Sequence, residues 1–396
     1  MKRRVVAVFS AALSAACVGL ASMTPIAAAA AAPSSAPAPA GFATARPAVS
    51  QVLPDRIAGA DRYDTAAKLA GQFGAASTVV IANGTTDKQG FDALSANYLA
   101  GIVGAPILLT GASSLPASTA AAVRSVMGGS TDTAFQVLVM GKADSVSDAV
   151  VKQLNAIVQP IAKDTQNHVV RVAGSSRYDT AVQAATSNGD DPAGFWVEKY
   201  TIGAGSSLGK TAFLASGTSN ADALATGPIS NAMRIPVYLT GPSALPSSVA
   251  TALASQGISN LIVLGGADRV PDSVVAQAKA AGVQSAARIG GSNRFATAAA
   301  LYSFARSTLA GVDGAHYGAA SVPAFLANGL TGFPDALAVG PLAAASGAVL
   351  LTTSADRLEA PAKQFLAAGG VTGVTALGAS ATIADSVLAA AQSAIG

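Results

Sequence analysis

The 396 residues hold one cysteine, one tryptophan and two histidines, and only 11% of them are charged. A single thiol, Cys17, cannot form an internal disulfide, so the fold must rest on its core. His168 and His316 stand at unrelated places, too few for the ligand set of a zinc hydrolase. Basic residues outnumber acidic ones 24 to 21, but three of them, Lys2, Arg3 and Arg4, sit at the extreme N-terminus. The remaining charges balance, which excludes a bulk basic surface for nucleic acid. Beyond the first 20 residues no apolar run is long enough to cross a bilayer.

The three basic residues precede an apolar run from Val5 to Leu20, and Ala27-Ala28-Ala29 offers a small-residue exit. This is the layout of a secretory signal over residues 1–29, with no membrane anchor left after cleavage. Cys17 could suggest lipid attachment, but Ser14 stands where a lipoprotein signal places leucine. Residues 30–54 are rich in Ala, Pro and Ser and read as an extended linker.

What the chain does have is a sentence written three times. Arg56-Ile-Ala-Gly59-Ala-Asp61-Arg62-Tyr63-Asp-Thr65-Ala66 returns from Arg171 to Ala181 and again from Arg288 to Ala298, at spacings of 115 and 117 residues. A period of that size marks repeated folding units: 55–167, 168–286 and 287–396. Three copies of one surface suit multivalent binding better than a single active site.

Each copy runs through the same series. Asp61, Ser176 or Asn293 supplies an N-cap side chain, and residues at helical spacing follow. An apolar strand comes next: Thr78–Ala82, Ala212–Ala215 or Ala324–Ala327. Asp92-Ala93-Leu94, Asp222-Ala223-Leu224 and Asp335-Ala336-Leu337 then open a second helix. A second strand covers Pro106–Thr110, Pro236–Thr240 or Ala348–Thr352. A third ends at Gly141, Gly265 or Gly378, each seven residues before an aspartate, Asp148, Asp272 or Asp385. Wholly apolar strands alternating with amphipathic helices predict parallel sheets covered on both faces. The expected fold is α/β: three tandem three-layer αβα modules.

These ordered segments resemble the cell wall binding repeat 2 domains of Gram-positive bacteria. The likeness rests on R-x-x-G-x-x-R-[YF]-x-T-A, the [FPA]-D-A-L segment, the [IV]-[LY]-L-T strand and the G-x-x-x-x-[VI]-x-D tail. It covers residues 55–396. The resemblance implies noncovalent attachment to anionic wall polymers by three modules packed about a pseudo-threefold axis. It also implies a polymer-binding role for the strand end at Ile107, Leu108 and Leu109. The third repeat carries Val349, Leu350 and Leu351 there, and the second departs further with Val237-Tyr238-Leu239.

The candidate binding side chains are the paired arginines Arg56 and Arg62, Arg171 and Arg177, Arg288 and Arg294. A guanidinium fork matches carboxylate or phosphate oxygens bidentately, and several weak contacts multiply on one polymer. The structural alternative pairs each arginine with an aspartate or a carbonyl at a module interface, the Asp-Ala-Leu aspartates being available. Residues 204–211 fit a loose phosphate-loop pattern, and Gly205–Gly209 fits a nucleophile elbow, but both patterns require a helix immediately after. Repeat alignment places a strand there. Phe195, Trp196 and Tyr200 could stack on a sugar or simply pack on their own domain. The expected protein is exported, wall-associated, free of cofactors and not an enzyme. Its rival is a peptidoglycan-processing hydrolase, an amidase or glycosidase.

Overall fold

The computed structural model describes residues 53–85, 90–132, 134–186, 210–309, 317 and 321–396. The expected leader, most of the linker, the segment 204–209, the aromatics at 195, 196 and 200, and His316 lie outside these residues.

The first repeat contains β1 (Arg56–Ile57), α1 (Arg62–Phe73), β2 (Thr78–Asn83), α2 (Phe91–Val103), β3 (Ile107–Thr110), α3 (Ala117–Gly128), β4 (Gln136–Met140) and α4 (Asp148–Ala162). The second contains β5 (Val169–Val172), α5 (Arg177–Thr186), β6 (Thr211–Ser216), α6 (Gly227–Met233), β7 (Val237–Thr240), α7 (Ser247–Ser255), β8 (Asn260–Leu264) and α8 (Asp272–Ala280). The third contains β9 (Ser285–Ile289), α9 (Arg294–Thr308), β10 (Val322–Asn328), α10 (Gly340–Ser346), β11 (Val349–Thr353), α11 (Ala360–Ala367), β12 (Val371–Leu377) and α12 (Asp385–Ser393).

Three four-stranded sheets result, ordered β3-β2-β4-β5, β7-β6-β8-β9 and β11-β10-β12-β1, with every strand pair parallel. The inner strands are buried along their length because helices cover both faces, which explains their unbroken apolar sequences. The fourth strand of each sheet comes from the next repeat. β5, which carries Arg171, pairs with β4; β9, which carries Arg288, pairs with β8. In the third sheet β1 takes that place on β12, with Arg56 opposite Ala376. Backbone bonds from Ala376 N to Asp55 O (2.8 Å) and Gly378 N to Ile57 O (2.9 Å) close the ring of modules.

Helices α2, α6 and α10 pack against one another at the centre. Asn97, Gly227 and Gly340 occupy the same repeat position, and all three meet there. A Cβ on Gly340 would collide with Asn97 Oδ1, so the asparagine fills space left by two glycines. This position also breaks helical symmetry. Asp-Ala-Leu lies in the first turns of α2 in repeat 1. In repeat 2 it leads into a short 3-10 turn (Leu224–Thr226), in repeat 3 its first two residues end one (Phe333–Ala336), and the α-helix starts only at Gly227 or Gly340. Pro228 and Pro341 follow those glycines, in the first helical turn where a missing N–H costs nothing.

One hydrophobic cluster runs through all three modules, including Leu94, Leu224 and Leu337. Tyr302 of α9 crosses to module 2, donating to Ala225 O at 2.8 Å. Among the described residues no helix is long and apolar enough to cross a membrane.

Candidate functional site

The recurrent motif builds the turn that carries the chain from one module into the next. Its glycine approaches the first turn of the following helix so closely that a Cβ on Gly59, Gly174 or Gly291 would collide with that turn. The buried motif threonine bridges the same turn. Thr65 Oγ1 accepts from Gly59 N at 3.0 Å and donates to Asp61 O at 3.0 Å. Thr180 and Thr297 accept from Gly174 and Gly291 at 3.2 and 3.1 Å. The expected N-caps are present: Asp61 accepts from Asp64 N (2.8 Å), Ser176 from Asp179 N (3.3 Å) and Asn293 from Ala296 N (3.0 Å).

The first arginine of each motif lies on the fourth strand and locks it to the preceding module. Arg56 donates to Gly378 O (2.7 Å), Ile383 O (2.9 Å) and Asp385 Oδ1 (2.8 Å). Arg171 reaches Gly141 O and Asp148, and Arg288 reaches Gly265 O and Asp272, at 2.7–3.0 Å. The carboxylate partner is therefore the tail aspartate that opens α4, α8 or α12, not the Asp-Ala-Leu aspartate. The latter sits under the tail glycine. Gly141, Gly265 and Gly378 have φ of +90°, +89° and +87°, and a Cβ there would strike Asp92, Asp222 or Asp335.

The second arginine behaves differently. Arg62, Arg177 and Arg294 each donate one Nη1 bond, to Gly84 O (3.0 Å), Gly217 O (2.9 Å) and Gly329 O (2.7 Å), in the loop after β2, β6 or β10. Among the described residues none of the three forms an ion pair. Arg177 also lies over the ring of Phe91 in module 1, 4.5 Å from its centroid. Each guanidinium is thus held at a module junction with donors to spare.

The junction between modules 3 and 1 forms a cleft of about 300 Å³ lined by Arg62, Asp61, Thr65, Asn328, Asp335 and Thr382, among others. Burial pushes the Asp335 carboxyl above the ordinary carboxylate range, against the opposing pull of Thr65 and Arg62.

Ile107, Leu108 and Leu109 lie in β3 and Val349, Leu350 and Leu351 in β11, all with buried side chains. Ile107 and Leu109 face the core shared by the modules, and Leu108 faces the outer core of module 1. These residues and the arginines do not form one surface: the strand residues are core, and the arginines border the junctions. His168 is tied down by Phe135 O (3.0 Å) and Asp164 (2.7 Å). Thr211 opens strand β6, so no helix follows the glycine-rich stretch that ends at Lys210-Thr211. Among the described residues no three His, Cys, Asp or Glu side chains gather as a metal would require.

The solved structures similar to this chain include Cwp8 from Clostridium difficile, at TM-score 0.68 and 22% identity, covering 86% of this chain and 51% of that one. Cwp6 from Clostridium difficile superposes at TM-score 0.69 and 23% identity, covering 90% of this chain and 51% of that one. Both share the fold, and this chain spans about half their length. The N-acetylmuramoyl-L-alanine amidase LytC of Bacillus subtilis (strain 168) is 31% identical over 135 residues, 34% of this chain and 24% of the amidase. The family described as cell wall binding domain 2 (CWB2) matches residues 56–151, 171–275 and 288–388. Each match opens on the motif arginine or the residues just around it, and together they span all three modules: this chain belongs to the cell wall binding domain 2 family.

Proposed function

We propose that this is an exported, non-enzymatic protein that attaches noncovalently to the bacterial wall by gripping anionic polymers at its module junctions. The observation that carries this reading is the division of labour between the arginines. Arg56, Arg171 and Arg288 are consumed by ion pairs and carbonyls, whereas Arg62, Arg177 and Arg294 are anchored at one nitrogen and lack an ion pair among the described residues. A positioned guanidinium with open donors is what a phosphate or carboxylate on a polymer would engage. Three such groups on one rigid body convert weak contacts into firm attachment. The buried strand ends at 107–109 and 349–351 support this surface from within. Membership of a wall-binding family and the fold shared with Cwp6 and Cwp8 support the same reading.

Retention of the protein without its first 29 residues on purified wall, before and after extraction of anionic polymers, tests this reading. Loss of retention on extraction is expected; full retention would move the ligand to peptidoglycan itself. The partial likeness to an amidase keeps a hydrolase as the second reading. A zymogram separates the two, since a clearing band dependent on this protein would favour the enzyme.

A further inference from the structure

The three motif turns differ in charge. The N-cap residue and the residue three beyond it flank the second arginine: Asp61 and Asp64 in repeat 1, Ser176 and Asp179 in repeat 2, Asn293 and Ala296 in repeat 3. Carboxylates beside a guanidinium compete with an incoming anion and repel it. Lys68, 3.4 Å from Asp64, answers only one of the two acids in repeat 1. The third turn carries no acid, so Arg294 is the second arginine that least opposes an anionic ligand.

The module 2 side of the same junction adds a base. Four residues past the tail glycine stand Ser145, Arg269 and Thr382. At the junction of modules 3 and 1, Thr382 and Arg62 line one cleft of about 300 Å³, so side chains at these two positions reach a common ligand. Between modules 2 and 3 the first of those positions is Arg269. A Cβ on Gly265 would lie 3.3 Å from that of Arg269, and a Cβ on Gly290, in the third motif, would lie 2.9 Å from Gly265 C. Arg269 therefore stands where the third motif abuts module 2. Its side chain is 49% exposed, and its ion pair is a 3.5 Å approach of Nε to the neighbouring, exposed Asp268. Such a pair is weak, and it leaves both Nη groups without a hydrogen-bond partner among the described residues. The other acid there, Asp222, is half-buried beneath Gly265.

We infer that Arg269 and Arg294 form a two-guanidinium clamp, which makes the junction of modules 2 and 3 the principal anion subsite and suits it to a phosphodiester. One guanidinium fork fills the two oxygens of a planar carboxylate, whereas the tetrahedral oxygens of a phosphate accept from two forks at once. The inference rests on the reading that the second arginines grip anions, and soluble probes test it apart from wall retention. The experiment is an NMR titration of the protein without its first 29 residues, at low salt. The probes are glycerophosphoglycerol, a phosphodiester, and glucuronate, a carboxylate of the same charge. The phosphodiester should bind at least about threefold more tightly than glucuronate. Arg269→Ser, which installs the repeat 1 residue, should weaken its binding about tenfold, as loss of a charge-assisted bond implies. Asn293→Asp, which adds an acid while keeping an N-cap side chain, should weaken it about threefold, and less as salt rises. Arg124→Ser removes the same charge from the exposed side of α3 and should leave binding unchanged; melting curves verify each fold. The inference fails if the phosphodiester does not bind, if glucuronate binds as tightly, or if folded Arg269→Ser binds as the natural protein does. If the triple change of Arg62, Arg177 and Arg294 abolishes wall retention while Arg269→Ser keeps full affinity, the clamp fails and the grip by the second arginines stands.

Discussion

Arg56 and Asp385, 329 residues apart, are joined by an Nη2–Oδ1 contact of 2.8 Å. This pair fastens strand β1 to helix α12 and closes the ring of modules. The two partners are not equal in weight. Asp385 is 82% exposed, and exposed ion pairs contribute about 0–1 kcal/mol. Arg56 is mostly covered and also satisfies two carbonyls, Gly378 O and Ile383 O. Arg56→Ala should therefore cost about 1.5–3 kcal/mol, well above the cost of Asp385→Ala. Chemical denaturation of the two variants checks this order, and equal losses would reduce the contact to its ion pair.

Because each sheet borrows a strand, the modules should not survive excision. Removing residues from about Ala287 onward deletes most of β9 from the second sheet and leaves β1 without a partner. Exposed sheet edges and the uncovered shared core should produce aggregation or loss of cooperative unfolding. Size-exclusion chromatography and calorimetry would show it. A soluble, monomeric and equally stable fragment would mean that the modules fold independently.

The axis offers a coupled test. Gly340→Ala places a methyl against Asn97 Oδ1 and should cost about 1–3 kcal/mol, the usual range for overpacking. In an Asn97→Ala background the closest obstruction is gone, leaving only the tight contact with the Gly227 backbone, and the same change should cost less. A double-mutant cycle measures this coupling. An unchanged penalty in the second background would remove Asn97 as its cause.

Asp335 should leave a signature in acid. Its folded-state affinity for a proton is raised by burial above that of the unfolded chain. The folded state is therefore penalised while the group is ionised. The penalty is relieved as pH falls through the raised folded value toward the ordinary carboxylate value. Relative to Asp335→Asn, the natural protein should gain stability over that window. Melting curves of the two proteins from neutral pH downward provide the comparison, and parallel curves would contradict the assignment.

Much of this architecture can be read from the residues. The apolar strands, the N-caps at Asp61, Ser176 and Asn293, and the αβα modules all follow from local pattern, because each depends on neighbours in sequence. The fourth strand is not legible. Arg56–Ile57 is two residues long, and its partner β12 is contributed by the far end of the chain. For the same reason the partner of the first arginine looks like Asp-Ala-Leu in sequence. The choice of Asp148, Asp272 and Asp385 depends on strand order. The 3-10 turns in repeats 2 and 3 were signalled by Gly-Pro at 227–228 and 340–341, where repeat 1 has Asn97-Tyr98.

The candidate site was legible as a set of arginines but not as two sets. Sequence treats Arg56 and Arg62 alike; the bonds made by each show one fastening modules and the other standing at a junction.

The measurement that bears most directly on the central claim is wall retention by the triple variant Arg62→Ala, Arg177→Ala, Arg294→Ala, with its melting temperature recorded alongside. Each single change should weaken retention modestly, since two junctions remain to recapture the polymer. The triple change should abolish retention at a salt concentration that the natural protein tolerates, because exposed charge contacts are screened as salt rises. Its fold should persist, since each arginine contributes one carbonyl bond to its own module and Arg177 adds only its stacking on Phe91. A folded triple variant that binds wall as well as the natural protein would contradict the account.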